Sequence, residues 1–153
     1  MARIAIISDT HGLLRPEVVD SLQGCEHILH AGDVGKPHVL ESLREIAPVT
    51  AVRGNVDFGE LGSKLYLTDT FSWRGKTFYL VHIREELDLD PVKAEIDCVV
   101  FGHTHQPERS EQDGVLYLNP GSCGPRRFSL PIAWCTATLS DAGELVIEDH
   151  RLD

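Results

Sequence analysis

Short apolar runs alternate with two amphipathic stretches in the first third of the chain, and this order restricts the fold more than any other feature. The apolar runs lie at 3–7 (RIAII), 26–30 (EHILH) and 49–52 (VTAV). Between them, Pro16 and Pro37 each begin a stretch in which apolar residues recur at helical spacing. The order strand, helix, strand, helix, strand predicts a parallel sheet built by right-handed crossovers.

Strand patterns dominate the second half of the chain. The runs at 64–73 and 76–83 flank Arg74-Gly75 and predict a β-hairpin. The stretch at 88–96 is predicted to be one helix. The further predicted strands are CVVFG, GVLYL, IAWCTATL and ELVIEDHRL. We therefore expect a mixed α/β fold with two sheets.

Length and composition limit the classes of function. The chain of 153 residues suits one domain of ordinary size, so residues 1–153 are predicted to form a single domain. The formal net charge of −10 argues against a protein that coats nucleic acid or a membrane surface. No apolar run approaches the roughly 20 residues of a membrane-spanning helix. The four Cys form no Cys-x-x-Cys pair, which predicts reduced thiols and a cytoplasmic location.

Polar side chains that bind metals follow almost every apolar run. Two are Asp, one is Asn and four are His, namely Asp9, His11, Asp33, Asn55, His82, His103 and His105. The carboxyl ends of the strands in an open α/β sheet point into one shared crevice. We therefore expect these seven side chains to converge on a single site.

The donor types in this set predict the metal chemistry. Carboxylate, amide oxygen and imidazole suit Mn, Fe, Zn, Ni or Co, and the set contains no thiolate. Seven donors are too many for one tetrahedral structural zinc. They suit two ions about 3.5–4 Å apart that share a carboxylate. Two divalent ions and two Asp leave about two positive charges, so the site would attract phosphate although the whole chain is acidic.

These motifs occur in the order found in the calcineurin-like metallophosphoesterases, and the chain resembles that superfamily from Arg3 to its last predicted strand. The shared pieces are Asp9-Thr10-His11, Gly32-Asp33, Gly54-Asn55, His82 and Gly102-His103-Thr104-His105. Three longer pieces resemble the small single-domain phosphodiesterases of bacteria and archaea. These pieces are His30-Ala31-Gly32-Asp33, Arg53-Gly54-Asn55-Val56-Asp57 and Asn119-Pro120-Gly121-Ser122. The resemblance implies a four-layer α/β sandwich of two mixed β-sheets flanked by helices.

The resemblance also implies a role for each of the seven side chains. Asp9, His11 and His105 would hold the first metal ion. Asn55, His82 and His103 would hold the second, and Asp33 would bridge the two. A hydroxide that bridges the ions would attack phosphorus in line. Asp33, Asn55 and His103 are the residues expected to be catalytic. Manganese is the first choice for both ions, with Zn, Fe or Ni as alternatives.

Two positions depart from the pattern of the superfamily. Many relatives carry a His directly after the motif Asn, where it protonates the leaving group, but this chain has Val56 there. The small branch often lacks that His, and the general acid is left unassigned. Ile83 follows His82 where a small residue, often Gly, is expected.

The implied function is a two-metal-dependent phosphoesterase, and more specifically a phosphodiesterase with a small phosphate-ester substrate. Two other classes stay open. One is a protein-interaction scaffold of the same fold, as in a eukaryotic retromer subunit, which missing ligands would favour. The other is a nuclease, which would usually carry the extra His and capping domains. Neither a membrane nor nucleic acid is expected as a partner. The apolar hairpin at 65–81 fits both a homo-oligomer interface and core packing.

Several further residues have two interpretations each. Arg53, Arg126 and Arg127 are candidates for contact with a phosphate oxygen, and surface ion pairing is the alternative. Cys123 is interpreted as a buried thiol rather than a nucleophile.

Three polar residues near the motifs are predicted to support the site. His30 is predicted to hydrogen-bond a ligand rather than to bind metal. Asp57 either orients a ligand or forms a turn. Asn119 is predicted to support the site through its own turn.

Overall fold

The structure is a computed structural model that describes residues 1–152; Asp153, the last residue of the predicted domain, lies outside the described residues. The strands in chain order are β1 (Ile4–Ile7), β2 (Ile28–His30), β3 (Val49–Ala51), β4 (Thr68–Trp73), β5 (Lys76–Val81), β6 (Cys98–Val100), β7 (Glu108–Gln112), β8 (Val115–Asn119), β9 (Ile132–Leu139) and β10 (Leu145–Leu152). The helices are α1 (Pro16–Leu22), α2 (Pro37–Arg44) and α3 (Gly59–Ser63), with a 3-10 turn at Arg84–Glu86.

The strands form two mixed sheets of five. The first has the order β10-β9-β1-β2-β3, and the second has the order β4-β5-β6-β8-β7. Strands β1, β2 and β3 are parallel, as are β5, β6 and β8, while β9, β10, β4 and β7 pair antiparallel to their neighbours. The predicted fold class is therefore confirmed.

Apolar residues fill the space between the two sheets and the space under the helices. Ile6 and Leu29 of the first sheet belong to the same buried cluster as Phe78 and Leu118 of the second. Side chains alternate between the two faces of a strand, so the residues next to Ile6 and Leu29 point to the opposite face of the first sheet. Helices α1 and α2 cover that face. Both helices begin at a proline, as predicted.

The outer face of the second sheet is covered by an irregular segment, so the helix predicted at 88–96 is wrong. One α-helical turn forms, because the Ala94 N–H donates to the Asp90 carbonyl. Glu95 then adopts a left-handed conformation with φ of 59°, which a continuing helix does not tolerate. Ile96 still reaches the apolar cluster on this face.

The sequence pattern did not predict two short elements, β7 and α3. Strand β7 (ERSEQ) is almost wholly polar because it is an exposed edge strand, so it shows no apolar alternation. Helix α3 has five residues and two glycines, which is too short for an apolar period. None of the helices in the described part of the chain has the length and apolar character that a membrane crossing needs.

Candidate metal centre

The seven predicted side chains meet where the two sheets end. Three carboxylate and imidazole side chains, Asp9, His11 and His105, form one group, and Asp33, His82 and His103 form a second. Within each group the candidate ligand atoms lie within 4.8 Å of one another. Asn55 lies in contact with the second group, as described below.

In the first group, one carboxylate oxygen faces imidazole nitrogens without a hydrogen bond. Oδ1 of Asp9 lies 3.4 Å from Nε2 of His105 and 3.7 Å from Nε2 of His11. The two Nε2 atoms are 3.1 Å apart. Oδ1 of Asp9 is buried and has no hydrogen-bond partner among the described residues. A buried charged oxygen without a partner is costly, so this atom is suited to a bound cation.

The amide of Asn55 contacts the second group. Oδ1 of Asn55 lies 3.0 Å from Nε2 of His82 and 3.1 Å from Nδ1 of His103. Oδ2 of Asp33 lies 3.1 Å from Nε2 of His82 and 3.6 Å from Nε2 of His11. Asp33 therefore faces both groups with the same oxygen.

These distances fit divalent ions. Two donors that each lie about 2.1 Å from one ion are about 3.0–3.5 Å apart at octahedral or tetrahedral angles. The orientation of His82 also suits a ligand, because its Nδ1–H donates to the Ala31 carbonyl at 2.7 Å and the neutral ring then presents the lone pair of Nε2 to the site. A backbone acceptor of this kind commonly orients a metal-binding His.

The electrostatics show two carboxylates held ionised by imidazoles. Burial raises the pKa of Asp9, but the nearby imidazoles of His105, His11 and His82 outweigh burial and hold that pKa well below its usual range. Burial lowers the pKa of His82, but the Asp33 hydrogen bond and the charges of Asp9 and Asp33 outweigh burial and hold the pKa above its usual value. A proton on His82 thus competes with a metal ion for the same ring nitrogen.

The backbone is strained at most of the candidate ligands. Asp9, His11, Asp33, His103 and His105 have left-handed φ values between 47° and 73°. Residues other than Gly seldom adopt this region, although Asn, Asp and His do so more often than the others. Such strain persists only where the surrounding structure enforces it, and it concentrates at functional sites.

Two glycines allow the site loops to touch. A Cβ at Gly54 would collide with the backbone nitrogen and Oδ1 of Asp33, and a Cβ at Gly102 would collide with Oγ of Ser8 and Oδ2 of Asp9. The glycine after β3 and the glycine after β6 therefore bring the two carboxylates against neighbouring loops.

Ser8 orients the Asp9 carboxylate, and sequence reasoning missed it. Its hydroxyl donates to Oδ2 of Asp9 at 2.5 Å, and the backbone N–H of His103 donates to the same oxygen at 3.1 Å. With Oδ2 engaged twice, Oδ1 is left to face the imidazoles. A serine at the end of the first apolar run, directly before Asp9, was the available signal.

Asp57 joins the loops after β2 and β3. Its buried carboxylate accepts hydrogen bonds from the backbone N–H groups of Val34, Gly35 and Gly54. These bonds flank Asp33 and Asn55 and fix their spacing. Asp57 therefore orients the candidate ligands, which is the first of its two interpretations from the sequence.

Two further residues support the site as predicted. His30 is buried, its Nδ1 accepts from the Gly32 N–H, and its Nε2 donates to Thr10, whose hydroxyl donates to the Val34 carbonyl. Burial lowers the pKa of His30 to about 4, so the ring stays neutral in this chain of hydrogen bonds. Asn119 donates to the Gly102 carbonyl and to Thr104 in the loop of His103.

Cys123 is a buried thiol, and the three Arg residues differ in their surroundings. Cys123 is buried, which raises the pKa of its thiol to about 12 and excludes a thiolate near neutral pH. Arg126 donates to the Leu130 carbonyl within its own loop, and Arg127 is exposed nearby. Arg53 lines a cavity with Asn55 and His82.

The site is buried on one side and open on the other. Asp9, Asp33, His82 and His105 are buried, whereas Asn55 and His103 are exposed. A ligand from solvent would therefore approach over Asn55 and His103.

Comparisons with known proteins identify the family of this chain. Residues 2–142 match the family model of the calcineurin-like phosphoesterase superfamily domain. A probable metallophosphoesterase from Methanothermobacter thermautotrophicus is 37% identical over 146 residues, which cover 84% of this chain and 81% of the relative.

Solved structures share the fold at low identity. The structure described as a novel archaeal phosphodiesterase superposes with a TM-score of 0.80 at 23% identity and covers 98% of this chain and 99% of its own. Vps29 from Entamoeba histolytica, solved in complex with Zn²⁺, superposes with a TM-score of 0.74 at 23% identity, covering 97% and 98%.

We predict that Mn²⁺ raises the melting temperature and that the gain shrinks at low pH. An ion that binds only the folded state adds about 2.7 kcal/mol of stability at about 100 times its Kd. Protons compete for the imidazoles, so less metal binds as the pH falls. The raised pKa of His82 acts in the same direction: its proton stabilises the metal-free fold at low pH and is lost as the pH rises through that pKa. Calorimetry with and without Mn²⁺ at about pH 8 and about pH 5.5 measures both effects.

Alanine variants distinguish Mn²⁺ binding at this site from non-specific Mn²⁺ binding. His103→Ala and His105→Ala should reduce the gain at about pH 8, whereas alanine at the exposed His38 should leave it unchanged. Equal gains at both pH values, or no gain at the higher one, would contradict a His-rich metal site.

Proposed function

We propose that this chain, which belongs to the calcineurin-like phosphoesterase superfamily, hydrolyses phosphate diesters with two divalent metal ions. One observation carries the proposal: two groups of donor atoms lie side by side, and the carboxylate of Asp33 faces both. A two-ion site with a shared carboxylate suits in-line displacement at phosphorus.

The proposed ligand sets follow the two groups. Asp9, His11 and His105 hold one ion, Asn55, His82 and His103 hold the other, and Asp33 bridges them. Manganese is the first choice because the donors are oxygen and imidazole nitrogen, and Zn, Fe or Ni are the alternatives. When bound, the ions supply Lewis-acid stabilisation of charge and lower the pKa of water for attack on phosphorus.

The residues of the chain prepare the site in three ways. Oδ1 of Asp33 accepts the Val56 N–H at 3.0 Å, which directs Oδ2 toward the ligand groups. The carboxylates of Asp9 and Asp33 offset two of the four positive charges, so about two remain to attract a phosphate ester. Asn55 and His103 lie on the open face, where they would contact the ester as it binds.

A residue that protonates the leaving group is missing from the position where many relatives have one. Val56 is 37% exposed beside Asn55, and its side chain has no proton to give. Departure of the alcohol then depends on its own acidity. This favours diesters with good leaving groups.

A protein-interaction scaffold is the second candidate, supported by the fold shared with Vps29. Because a Vps29 structure also contains Zn²⁺, metal binding alone does not separate the two functions. Turnover of an activated aryl phosphodiester by the metal-loaded protein separates them. The complete set of seven candidate ligands favours the enzyme.

Asp33→Asn should lower turnover by more than about a hundredfold with the fold intact, because a bridging charge and at least one ion are lost. Asn tolerates left-handed backbone, so the φ of 56° at this position is preserved. Steady-state rates and metal content by mass spectrometry measure the two losses.

Asp113→Asn is the matched control, since Asp113 is exposed and has a left-handed φ of 54°. It should keep full activity and both ions. The bridging assignment is refuted by near-normal activity with two bound ions in Asp33→Asn.

Leaving-group acidity should control the rate. Nitrophenyl diesters should be cleaved much faster than alkyl esters, because a good leaving group needs little protonation. A plot of log kcat against leaving-group pKa should have a steep negative slope, measured over a series of substituted aryl diesters.

Substitution at position 56 tests the cause of that slope. Val56→His should flatten it if the new ring reaches the departing oxygen, and Val56→Gln, which adds polarity without a titrating proton, should not. A flat slope in the unsubstituted protein would mean that another residue already acts as the acid.

A further inference from the structure

A cavity of about 210 Å³ opens directly beside the second ligand group. Its lining includes Asn55 and His82 of the site and the apolar residues Phe58, Leu67 and Ile83. An ester group attached to a phosphate held at Asn55 would extend into this space. The cavity is smaller than the roughly 300–1,000 Å³ typical of pockets for drug-sized ligands, so it suits one ring system rather than a longer chain.

Phe58 contributes an exposed aromatic side chain to the lining of this cavity. Phe58 is 74% exposed and Leu67 is 66% exposed, although both are large apolar side chains. Because both residues line one cavity, they offer a ligand an apolar surface. Ile83, the residue that departs from the small side chain expected after His82, adds apolar surface to the same cavity.

The position of Phe58 is fixed by its neighbours. The preceding residue, Asp57, is anchored by three backbone N–H groups. The Phe58 carbonyl accepts the Gly62 N–H, which joins it to the first turn of α3. The backbone that carries the ring is therefore anchored on both sides of Phe58.

Two charged side chains line the same cavity. Arg53 offers hydrogen-bond donors and Glu86 offers acceptors. In the described residues, the Lys and Arg ion pairs involve Lys64, Arg74, Arg84 and Arg109, so neither Arg53 nor Glu86 is engaged in one. Both remain available to a ligand.

We propose that this cavity binds the nucleobase of a nucleoside phosphate ester, with the base stacked on Phe58 and its polar edge facing Arg53 and Glu86. A nucleobase is planar and carries both donors and acceptors, which matches an aromatic platform flanked by one side chain of each type. The net charge of −10 disfavours a polymeric nucleic acid, so the ligand is a mononucleoside ester. This inference rests on the proposed function, because it names the substrate class of that site.

Binding of products measures the proposal without turnover. Isothermal titration calorimetry measures the binding of thymidine 5′-monophosphate and of ethyl phosphate to the full chain loaded with Mn²⁺. The nucleotide should bind at least about fivefold more tightly, since stacking of one base on an aromatic side chain is worth that factor or more. Phe58→Ala should remove the difference and leave the affinity for ethyl phosphate unchanged.

Three variants control the measurement. Phe58→Trp keeps an aromatic face and should retain the preference for the nucleotide. Arg53→Met should weaken binding of the nucleotide more than binding of ethyl phosphate. Phe128→Ala removes another exposed Phe, 89% exposed and outside this cavity, and should change neither affinity. Unchanged melting temperatures exclude unfolding as the cause.

Equal affinity for the two ligands, or an equal loss of both in Phe58→Ala, would overturn the nucleobase site. Turnover separates this failure from failure of the proposed function. Ethyl 4-nitrophenyl phosphate and thymidine 5′-(4-nitrophenyl) phosphate share a leaving group, and Phe58→Ala should raise the KM of the thymidine ester alone. If neither diester is cleaved, the phosphodiesterase proposal fails, while calorimetry still decides whether the cavity binds a nucleobase.

Discussion

Two buried carboxylates surrounded by imidazoles are the constraint to which the rest of this structure is fitted. Oδ2 of Asp9 is held by Ser8 and the His103 backbone, which leaves Oδ1 facing the ring nitrogens without a hydrogen bond. Oδ2 of Asp33 faces imidazoles of both groups. Buried carboxylates whose neighbours are imidazole nitrogens form an arrangement that is suited to divalent ions.

The fold supplies the rigidity that this arrangement needs. Strand ends from both sheets deliver the ligands on short loops, and five of these residues have left-handed backbone. Each such residue costs on the order of 1–3 kcal/mol. The apolar core between the sheets and the carboxylate of Asp57 hold the loops in place against that cost. Stability of the scaffold is therefore what allows strain at the centre.

The sequence predicts the seven candidate ligands and the two-sheet fold, because polar residues directly after apolar runs are a local signal. Contacts made across the fold leave no such signal. Asp57 looks like an ordinary turn residue until three backbone N–H groups from two loops point at it, and the stacking surface of Phe58 depends on a cavity formed partly by Ile83. The helix predicted at 88–96 fails for a related reason, since covering a sheet requires apolar contacts but not a regular helix.

A crystal grown with Mn²⁺ and measured near the manganese absorption edge tests the central claim most directly. The account predicts two anomalous peaks about 3.5–4 Å apart, one on each side of the Asp33 carboxylate. One peak should contact Asp9, His11 and His105, and the other Asn55, His82 and His103. A single peak, or two peaks that do not share Asp33, would contradict a two-ion centre with a bridging carboxylate.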